Sequence, residues 1–473
     1  MRLLGQLRDL LGEVGFRDEA AAEDDDPPGT EAHPTRRAED IPRAWVLAEL
    51  FIVGMSRPEA VVRHVLGTVP LEGLVAAGLL AVDGDQVSAP VRLAPFGDLL
   101  LASDRWAGDD AGSARDFVIG GHDAAISAAK LCVRLPVTSA LDLGTGTGVQ
   151  ALLAASHADR VVGTDLNGRA LAFARFNATL NEVDNIHFAR ASWFEPLRGE
   201  GRFGLVVSNP PFAISPERAY MYRDGGLEAD GTSRLLVTGA ASRLAEGGFG
   251  HVVCDWVGGS ERVFSWTDGY GCDTLVIRFC SRDAYEYAST WNDALRTEDL
   301  SQYDAAIRRW MADFERLGIE RIESGIVVMR RRTGATWRHV LETKRPTAGQ
   351  ASAELLRIFA ARDLLEGVRD DEAKLLHYPY RLVEGHRIEQ SLAFEKGAYL
   401  SHPAVVRIPR GSGLQAEVEV GALDLFFQCD GLRPLAEFVA DLAERDGVDD
   451  GWLRGQAMVA ARSLLEVGLL EVG

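Results

Sequence analysis

The chain of 473 residues contains no run of about 18 apolar residues, the length that a membrane-spanning helix requires. Its five cysteines never form a CxxC pair, so the sequence predicts neither a disulfide framework nor a zinc site. The first segment carries Arg2, Arg8 and Asp9 and lacks the apolar block of a secretory signal. With 47% apolar and 25% charged residues, the composition is typical of a protein that buries a core. We therefore expect a metal-free protein of the reducing cytoplasm with no membrane partner.

Charge is distributed unevenly along the chain, whose formal net charge is -20. Residues 18–40 hold nine acidic residues against two arginines, together with three prolines and few large apolar side chains. This composition is typical of a disordered linker. The opposite bias occurs in residues 330–345, where six basic residues face one acidic residue. The acidic total therefore does not exclude a nucleic-acid partner.

Composition and periodicity divide the chain into five segments. We expect an amphipathic helix over residues 1–17, an acidic disordered linker over 18–41 and a winged-helix-like module over 42–106. An α/β domain follows over 115–346, and a C-terminal, mainly helical α+β module over 351–473. The 42–106 module contains three helical patterns and a β-hairpin, but its third helix has no arginine or lysine, so a packing subdomain is an equal alternative to a DNA-reading one. A winged-helix-like arrangement is one expectation for the end of this C-terminal module.

The central domain alternates strand-like apolar runs with helical patterns, which predicts a doubly wound, Rossmann-like sheet of seven strands. The candidate strands cover residues 140–143, 160–164, 186–190, 204–208, 249–255, 274–279 and 325–331. Between the last two strands, residues 282–317 are polar and helical and are interpreted as an insertion. The basic residues after position 330 are expected to lie on a hairpin of the sheet, either as a solvated edge or as a face for RNA phosphates.

A glycine-rich turn follows the first predicted strand. That strand ends at Asp142, and three glycines alternate with threonines before a helix begins at Val149: Gly144, Gly146 and Gly148. Glycines are needed where a backbone turns with positive φ or approaches a ligand closely. A dinucleotide fingerprint would place a third glycine at position 149, so the pattern fits a pyrophosphate-binding turn poorly. The second predicted strand ends at Asp165, an acid placed to accept hydrogen bonds from ribose hydroxyls. Together these features favour S-adenosylmethionine over a nicotinamide cofactor, with both left open.

The fourth predicted strand runs into Asn209, Pro210, Pro211 and Phe212. Two prolines force an extended chain that can neither continue the ladder nor start a helix. An amide or aromatic NH2 group is a poor nucleophile because its lone pair is delocalised. If the Asn209 side-chain oxygen and the Pro210 carbonyl accept its two N–H bonds, the nitrogen becomes more tetrahedral and its lone pair is freed. Phe212 offers a flat face for stacking, whereas a plain strand-ending turn is the alternative reading.

With this motif, residues 115–280 resemble the class I methyltransferases that carry Asn-Pro-Pro-Phe or Asn-Pro-Pro-Tyr. These enzymes include adenine and guanine amino-methyltransferases and the glutamine methyltransferases that modify release factors. A further match to the glutamine-modifying branch is the Tyr-Arg-Asp-Gly-Gly segment at residues 222–226. The resemblance implies S-adenosylmethionine as cofactor. In the resembled families an acid follows the third strand, whereas this chain has Ser192 and Trp193 there.

The resulting site prediction has two parts. The catalytic residues are Asn209, Pro210, Pro211 and Phe212. The cofactor-binding residues are Asp142, Gly144, Thr145, Gly146, Gly148, Asp165, Leu166, Ser192, Trp193 and Asn209. His122 and Asp123, in the loop before the first strand, are candidates for contact with methionine or substrate, or simply a loop and helix cap.

We therefore expect an S-adenosylmethionine-dependent N-methyltransferase acting on a planar exocyclic amine. A base in RNA is favoured narrowly, because of the extra modules and the basic segment, and a glutamine side chain of a protein is the close alternative. A nicotinamide oxidoreductase and a noncatalytic, cofactor-sensing regulator are the remaining alternatives.

Overall fold

The fold is taken from a computed structural model that describes residues 2–16, 42–105, 115–194, 201–217, 221–395 and 398–473. The predicted acidic linker, residues 18–41, lies outside these ranges. The chain forms two compact units. The first comprises Met1–Ile126, Pro136–Gly239 and Ala288–Asp313, and the second comprises Ser127–Leu135, Ala240–Tyr287 and Phe314–Gly473.

The first unit begins with a small helical module. Its helices are α1 (Arg2–Glu13), α2 (Arg43–Ala48), a π-helix (Glu49–Val53), α3 (Glu59–Leu66) and α4 (Leu71–Ala76). Its strands are β1 (Arg57–Pro58), β2 (Ala81–Asp83), β3 (Gln86–Ser88), β4 (Val91–Phe96) and β5 (Leu99–Asp104). The first three strands form a sheet in the order β1-β3-β2, and β4 pairs with β5 as an antiparallel hairpin.

The apolar face of α1 belongs to the same core as this module. Leu7 and Leu11 are fully buried in a cluster that includes Leu47 of α2 and Leu74 of α4. The sequence therefore predicted the helix and its apolar face, and the structure adds the surface against which that face packs. A winged-helix architecture and nucleic-acid binding remain predictions for this module.

The α/β part of the first unit follows the predicted alternation. Its elements are α5 (Asp123–Lys130), β6 (Val137–Leu143), α6 (Val149–Ala155), β7 (Ala158–Asp165), α7 (Gly168–Leu180), β8 (Ile186–Arg190), β9 (Phe203–Ser208) and α8 (Gly231–Arg243). Four strands are parallel and lie in the order β9-β6-β7-β8. This arrangement confirms the Rossmann-like α/β class. The buried runs of β6 and β9 are continuous rather than alternating, as expected for parallel strands covered on both faces.

Residues 244–342 hold four strands of the second unit, and Ala288–Asp313 between them belong to the first unit. The elements from residue 244 onward are β10 (Leu244–Val257), α9 (Glu261–Trp266), β11 (Cys272–Asp283), α10 (Ala284–Trp291), α11 (Asp293–Glu298), α12 (Leu300–Leu317), β12 (Arg321–Arg331) and β13 (Arg338–Glu342). Strand β12 lies antiparallel between β10 and β11. The predicted helical insertion corresponds to α10, α11 and α12. All seven predicted strands form, and β13 is an additional one.

The hairpin predicted after residue 325 is wrong. Strand β13 pairs in parallel with β11, from Thr274 opposite Arg338 to Arg278 opposite Glu342, and not with β12. The buried Trp337 explains this path, because its backbone N–H donates to Asp273 and its carbonyl accepts from Thr274. These contacts carry the chain to the free edge of β11.

Five of the six basic side chains at residues 330–345 form ion pairs within the fold. Each of the six has a polar partner: Arg330 with Asp273 and Asp363, Arg331 with the Tyr270 carbonyl, Arg332 with Asp363, Arg338 with Asp268, Lys344 with Glu342, and Arg345 with Glu389. Charges that are satisfied internally offer little to a phosphate backbone. The run of basic residues that favours an RNA partner in the sequence is therefore explained by contacts within the fold.

The C-terminal module is α+β, as predicted. Its helices are α13 (Ser352–Gly367), a 3-10 helix (Glu372–His377), α14 (Val420–Gln428), α15 (Leu435–Asp446) and α16 (Asp450–Glu466). Its strands are β14 (Tyr380–Leu382), β15 (Arg387–Glu389), β16 (Leu392–Glu395), β17 (Ala398–Ser401), β18 (Ala404–Arg407), β19 (Gln415–Val418) and β20 (Leu470–Val472). The last strand, β20, pairs antiparallel with β14. Among the helices described here, none has the length and apolarity needed to cross a bilayer.

Candidate active site

A cavity of about 460 Å³ opens where the strand order of the first unit reverses. Strand β6 has β7 on one side and β9 on the other, so the connections that follow β6 and β9 diverge. Open α/β sheets bind ligands in the crevice at such a switch point. The cavity is lined by the glycine-rich turn after β6, the end of β7 and the motif after β9. Three segments predicted independently from the sequence thus meet at one site.

Asp142 holds the glycine-rich turn and the start of α6 through hydrogen bonds. Its Oδ2 accepts hydrogen bonds from Thr145 Oγ1 at 2.6 Å and from the Ala151 backbone N–H at 2.9 Å. Burial raises the pKa of this carboxyl to about 7, although both hydrogen bonds oppose the shift. Its Oδ1 is buried and has no hydrogen-bond partner in the described part of the chain. Asp142 does not line the cavity itself.

Asp165, at the end of β7, binds the same turn. Its Oδ2 accepts from the Gly146 backbone N–H at 2.9 Å, and its Oδ1 accepts from the Asn167 N–H at 2.8 Å. Burial raises the pKa of this carboxyl, against the hydrogen bonds that lower it. An ionised carboxylate has about four lone-pair sites. Asp165 can therefore hold the turn and still accept hydrogen bonds from a ligand in the cavity.

The three glycines of the turn share a positive φ but differ in what a side chain would contact. All have positive φ, at 70° for Gly144, 55° for Gly146 and 86° for Gly148. A Cβ at Gly144 would lie 3.8 Å from the Pro210 Cα, so the turn adjoins the motif that follows β9. A Cβ at Gly148 would lie 3.2 Å from the Cα and Cβ of Ala174 in α7. Gly148 therefore allows α6 and α7 to pack closely and does not line the cavity.

The remaining predicted cofactor residues also line the cavity, from the glycine-rich turn and from the ends of β7 and β8. Thr145, Leu166, Ser192 and Trp193 all contribute to its wall. Trp193 has φ 51°, which is uncommon for a bulky residue. Backbone strain of this kind concentrates at ligand sites, because surrounding structure must hold it in place. The strain is consistent with a functional position for this tryptophan.

The two candidates in the loop before β6 have separate locations. His122 lines the cavity, whereas Asp123 begins α5 and is not part of the wall. Burial lowers the pKa of His122, and the nearby Asp123 charge only partly opposes this. The imidazole is therefore neutral at pH 7, which suits a hydrogen-bonding role better than that of a cation.

The motif after β9 presents one unsatisfied acceptor. The Ser208 hydroxyl donates to the Leu143 carbonyl at 2.9 Å and holds the end of β9 against β6. The next side chain, Asn209, has its Oδ1 buried without a hydrogen-bond partner among the described residues. A buried acceptor without a partner costs free energy unless a ligand supplies a donor. Asn209, Pro210, Pro211 and Phe212 all line the cavity.

Several lining residues were missed by the sequence analysis. Gln150 donates to the Ala125 carbonyl, and Asn167 caps α7 while donating to the Asp116 carbonyl. Tyr222 packs edge-on against Phe117 with ring centroids 5.8 Å apart. The 222–226 segment had been recognised as a match, but without a role in the cavity. The inserted helices contribute one further lining residue, Trp291. No local sequence signal indicates this position.

The cavity fits a cofactor with an adenosine and an amino-acid portion. The turn brings backbone close to the ligand, Asp165 offers carboxylate lone pairs for hydroxyls, and Trp193 supplies a flat apolar ring. The buried Oδ1 of Asn209, which lines the cavity, is an acceptor that still needs a donor. These features agree with the expected chemistry of S-adenosylmethionine.

Two family profiles match the chain. Residues 125–263 match the methyltransferase small domain, and residues 5–90 match a domain of unknown function. The release factor glutamine methyltransferase of Vibrio cholerae serotype O1 is 49% identical over 124 residues, which cover 23% of this chain and 42% of that protein. The release factor glutamine methyltransferase of Geobacter sulfurreducens is 34% identical over 165 residues, covering 32% of this chain and 57% of that protein.

These matched segments span less than two thirds of either relative. Among solved structures, the ribosomal protein L11 methylase from Lactobacillus delbrueckii subsp. bulgaricus matches with a TM-score of 0.28 and 16% identity, covering 45% of this chain and 81% of that one. The predicted methyltransferase resemblance and its cofactor are confirmed by the family match. The chain contains a class I, S-adenosylmethionine-dependent methyltransferase domain, similar to that of the release factor glutamine methyltransferases.

Proposed function

We propose that this protein methylates the side-chain amide nitrogen of a glutamine in a protein substrate, with S-adenosylmethionine as methyl donor. The observation that carries the proposal is the buried, unpartnered Oδ1 of Asn209 beside the cofactor turn. The backbone of Gly144, in the glycine-rich turn, lies close to that of Pro210, in the acceptor motif. This closeness supports direct transfer of a methyl group from a cofactor held by the turn to a substrate held by the motif.

The residues around the turn would hold the cofactor. Asp165 would accept hydrogen bonds from the ribose hydroxyls, and the backbone at Gly144 and Gly146 would face the methionine portion. Ser192 and Trp193 would contact the adenine. When bound, S-adenosylmethionine supplies an electrophilic methyl group on a positively charged sulfur.

The residues of the Asn-Pro-Pro-Phe motif would hold and activate the acceptor. The Asn209 Oδ1 and the Pro210 carbonyl would each accept one N–H of the target amide. Drawing both hydrogens away from the amide plane localises the nitrogen lone pair. Fixed acceptors also orient that lone pair toward the methyl carbon, and such positioning supplies much of an enzyme's rate enhancement. The nitrogen loses one proton after the bond has formed, so this scheme needs no general base in the bond-forming step.

Two observations support a protein glutamine over an RNA base. The relatives that match the domain at 34% to 49% identity are named release factor glutamine methyltransferases. The basic residues at 330–345, which had favoured RNA, are occupied by acidic or carbonyl partners. We therefore adopt the alternative of the sequence analysis, and an RNA base becomes the second candidate.

The test is to incubate the purified full-length protein with cell extract and S-adenosylmethionine carrying a radioactive methyl group. We expect acid-insoluble label that survives nuclease and is lost with protease. Strong hydrolysis of the labelled protein should release volatile methylamine, because the label sits on an amide nitrogen. Label that is lost with nuclease would instead support the RNA-base candidate. A protein that binds the cofactor without producing S-adenosylhomocysteine in any extract would support the regulator hypothesis.

A further inference from the structure

The inserted helices reach the acceptor side of the cavity. Trp291, the last residue of α10, lines the cavity together with Phe212 of the acceptor motif. The two rings are in contact, with centroids 6.2 Å apart and planes inclined by 74°. This is the edge-to-face geometry that aromatic pairs prefer. The contact joins the inserted helices to a predicted acceptor residue.

The position of Trp291 is fixed by its neighbours. Asn292 is buried, and its side-chain amide donates to the Ala288 carbonyl at 2.8 Å across the end of α10. The Ser289 and Tyr303 hydroxyls are 2.8 Å apart and connect α10 to α12. Because these hydrogen bonds hold the helix end from two directions, the indole is presented to the cavity by an ordered scaffold.

A second connection joins the insertion to the loop that follows the acceptor motif. Glu217 accepts from the buried Arg223 at 2.7 Å and from Arg309 of α12 at 2.9 Å. The Arg223 guanidinium also lies 5.7 Å from the Trp310 ring centroid. The acceptor loop and the inserted helices are thus linked by an ion-pair network in addition to the ring contact.

The ring geometry restricts what can enter beside Phe212. A base held between two aromatic rings needs nearly parallel planes about 7 Å apart, twice the usual contact distance between carbon atoms. Phe212 and Trp291 are steeply inclined and already touch. An aromatic acceptor could not be stacked between them unless the indole moved, whereas a small planar carboxamide needs no second stacking face.

We propose that Trp291 is a specificity-determining residue that narrows the acceptor site to an aliphatic carboxamide and excludes aromatic acceptors. This inference rests on the proposed function and deepens it. Removing the indole should weaken contact with the target amide and open the face of Phe212 to larger planar molecules. Binding of S-adenosylmethionine should not change, because the cofactor-turn residues are untouched.

The experiment compares wild type with Trp291→Ala, Trp291→Phe and Trp452→Ala in the full chain. Trp452 is 59% exposed on α16, so its truncation serves as a matched control. Steady-state methylation of a purified bacterial release factor gives kcat and KM at saturating cofactor. Benzamide, an aromatic amide, is the probe for a widened site and is tested as an inhibitor competitive with the release factor. Calorimetry gives the affinity for S-adenosylmethionine.

We expect Trp291→Ala to raise KM for the release factor about tenfold, the effect of losing one aromatic contact. Benzamide should inhibit this variant and not wild type, with Trp291→Phe intermediate and Trp452→Ala unchanged. If Trp291→Ala fails to fold, Trp291→Phe still tests the gain of benzamide binding. If the Trp291 variants match Trp452→Ala in KM and in their response to benzamide, the inference about Trp291 is overturned while the proposed function stands. No glutamine methylation by wild type would overturn the proposed function, and this inference with it.

Discussion

Asn177 and Ala102 exchange two hydrogen bonds in the way that residues of neighbouring strands do. The Ala102 N–H donates to Asn177 Oδ1 at 2.8 Å, and the Asn177 side-chain amide donates to the Ala102 carbonyl at 3.0 Å. One helical turn later, Asn181 pairs with Leu100 in the same manner. Asn177 of α7 and Asn181, the residue that follows this helix, therefore act as the edge partners of β5. Asn177 also donates to the Thr147 carbonyl, so one side chain joins the β4–β5 hairpin to the glycine-rich turn.

Replacing Asn177 with alanine should destabilise the first unit strongly. Asn177 is fully buried, and its removal leaves the N–H and carbonyl of Ala102 without this partner. We expect a loss of about 3 kcal/mol in the free energy of unfolding, since each buried unsatisfied group costs about 1 to 3 kcal/mol. Urea denaturation monitored by circular dichroism measures the loss. Asn181→Ala is the control, with about 1 kcal/mol expected because water can reach this half-buried site. Equal losses in the two variants would contradict this account of β5.

The Gly148→Ala substitution tests whether close packing of α6 against α7 requires a glycine at this position. The new methyl group would meet Ala174 at 3.2 Å, and the φ of 86° is unfavourable for alanine. We expect a loss of about 1 to 3 kcal/mol in stability from backbone strain and crowding. Gly168→Ala, where a Cβ meets nothing within 4 Å, should leave the unfolding midpoint essentially unchanged. A Gly148→Ala protein as stable as Gly168→Ala would show that α6 and α7 can separate without cost.

Stability should fall as pH rises from about 4 to about 7 because of Asp142. Burial raises the pKa of this carboxyl from 3.8 to about 7 in the folded state. Between these two values the folded state binds a proton that the unfolded state has released. Each step up in pH within that window therefore favours unfolding, and the effect is complete above the folded pKa.

Asp142→Asn isolates this contribution, because the amide oxygen can still accept from Thr145 and Ala151. We expect the variant to gain stability relative to wild type as pH rises through the window. Urea denaturation of both proteins at pH values on either side of it gives the difference. A stability difference that does not vary with pH would show that the Asp142 carboxyl keeps its ordinary pKa.

The parts predicted well from the sequence are those set by local pattern. The strands that carry Asp142 and Asp165 each contain a short buried run, residues 140–143 and 161–164, and the glycines and prolines between elements define turns by their own backbone limits. Because parallel strands carry their loops to one edge, the motifs could be expected to meet once the strand order was known. The cavity brings them together as expected.

The parts that were missed depend on contacts distant in sequence. Trp291 lies 79 positions after Phe212, and nothing in its own segment indicates that α10 returns to the acceptor motif. The basic segment seemed free because its partners, such as Asp363, are remote along the chain. The parallel pairing of β13 likewise depends on Trp337 bonding to Asp273, which no periodicity reveals.

The central claim is that Asn209 activates the target nitrogen, and the most direct test is the turnover of Asn209→Ala with the labelled methyl donor. We predict a fall in kcat of at least about 100-fold, the usual effect of removing one preorganised hydrogen-bonding group from a catalytic site. Affinity for S-adenosylmethionine by calorimetry should change far less than kcat, because Asp165 and the glycine-rich turn still hold the cofactor, and Asn181→Ala, the matched asparagine control, should keep its kcat where it is folded. An Asn209→Ala protein that forms methylglutamine at the wild-type rate would contradict the account.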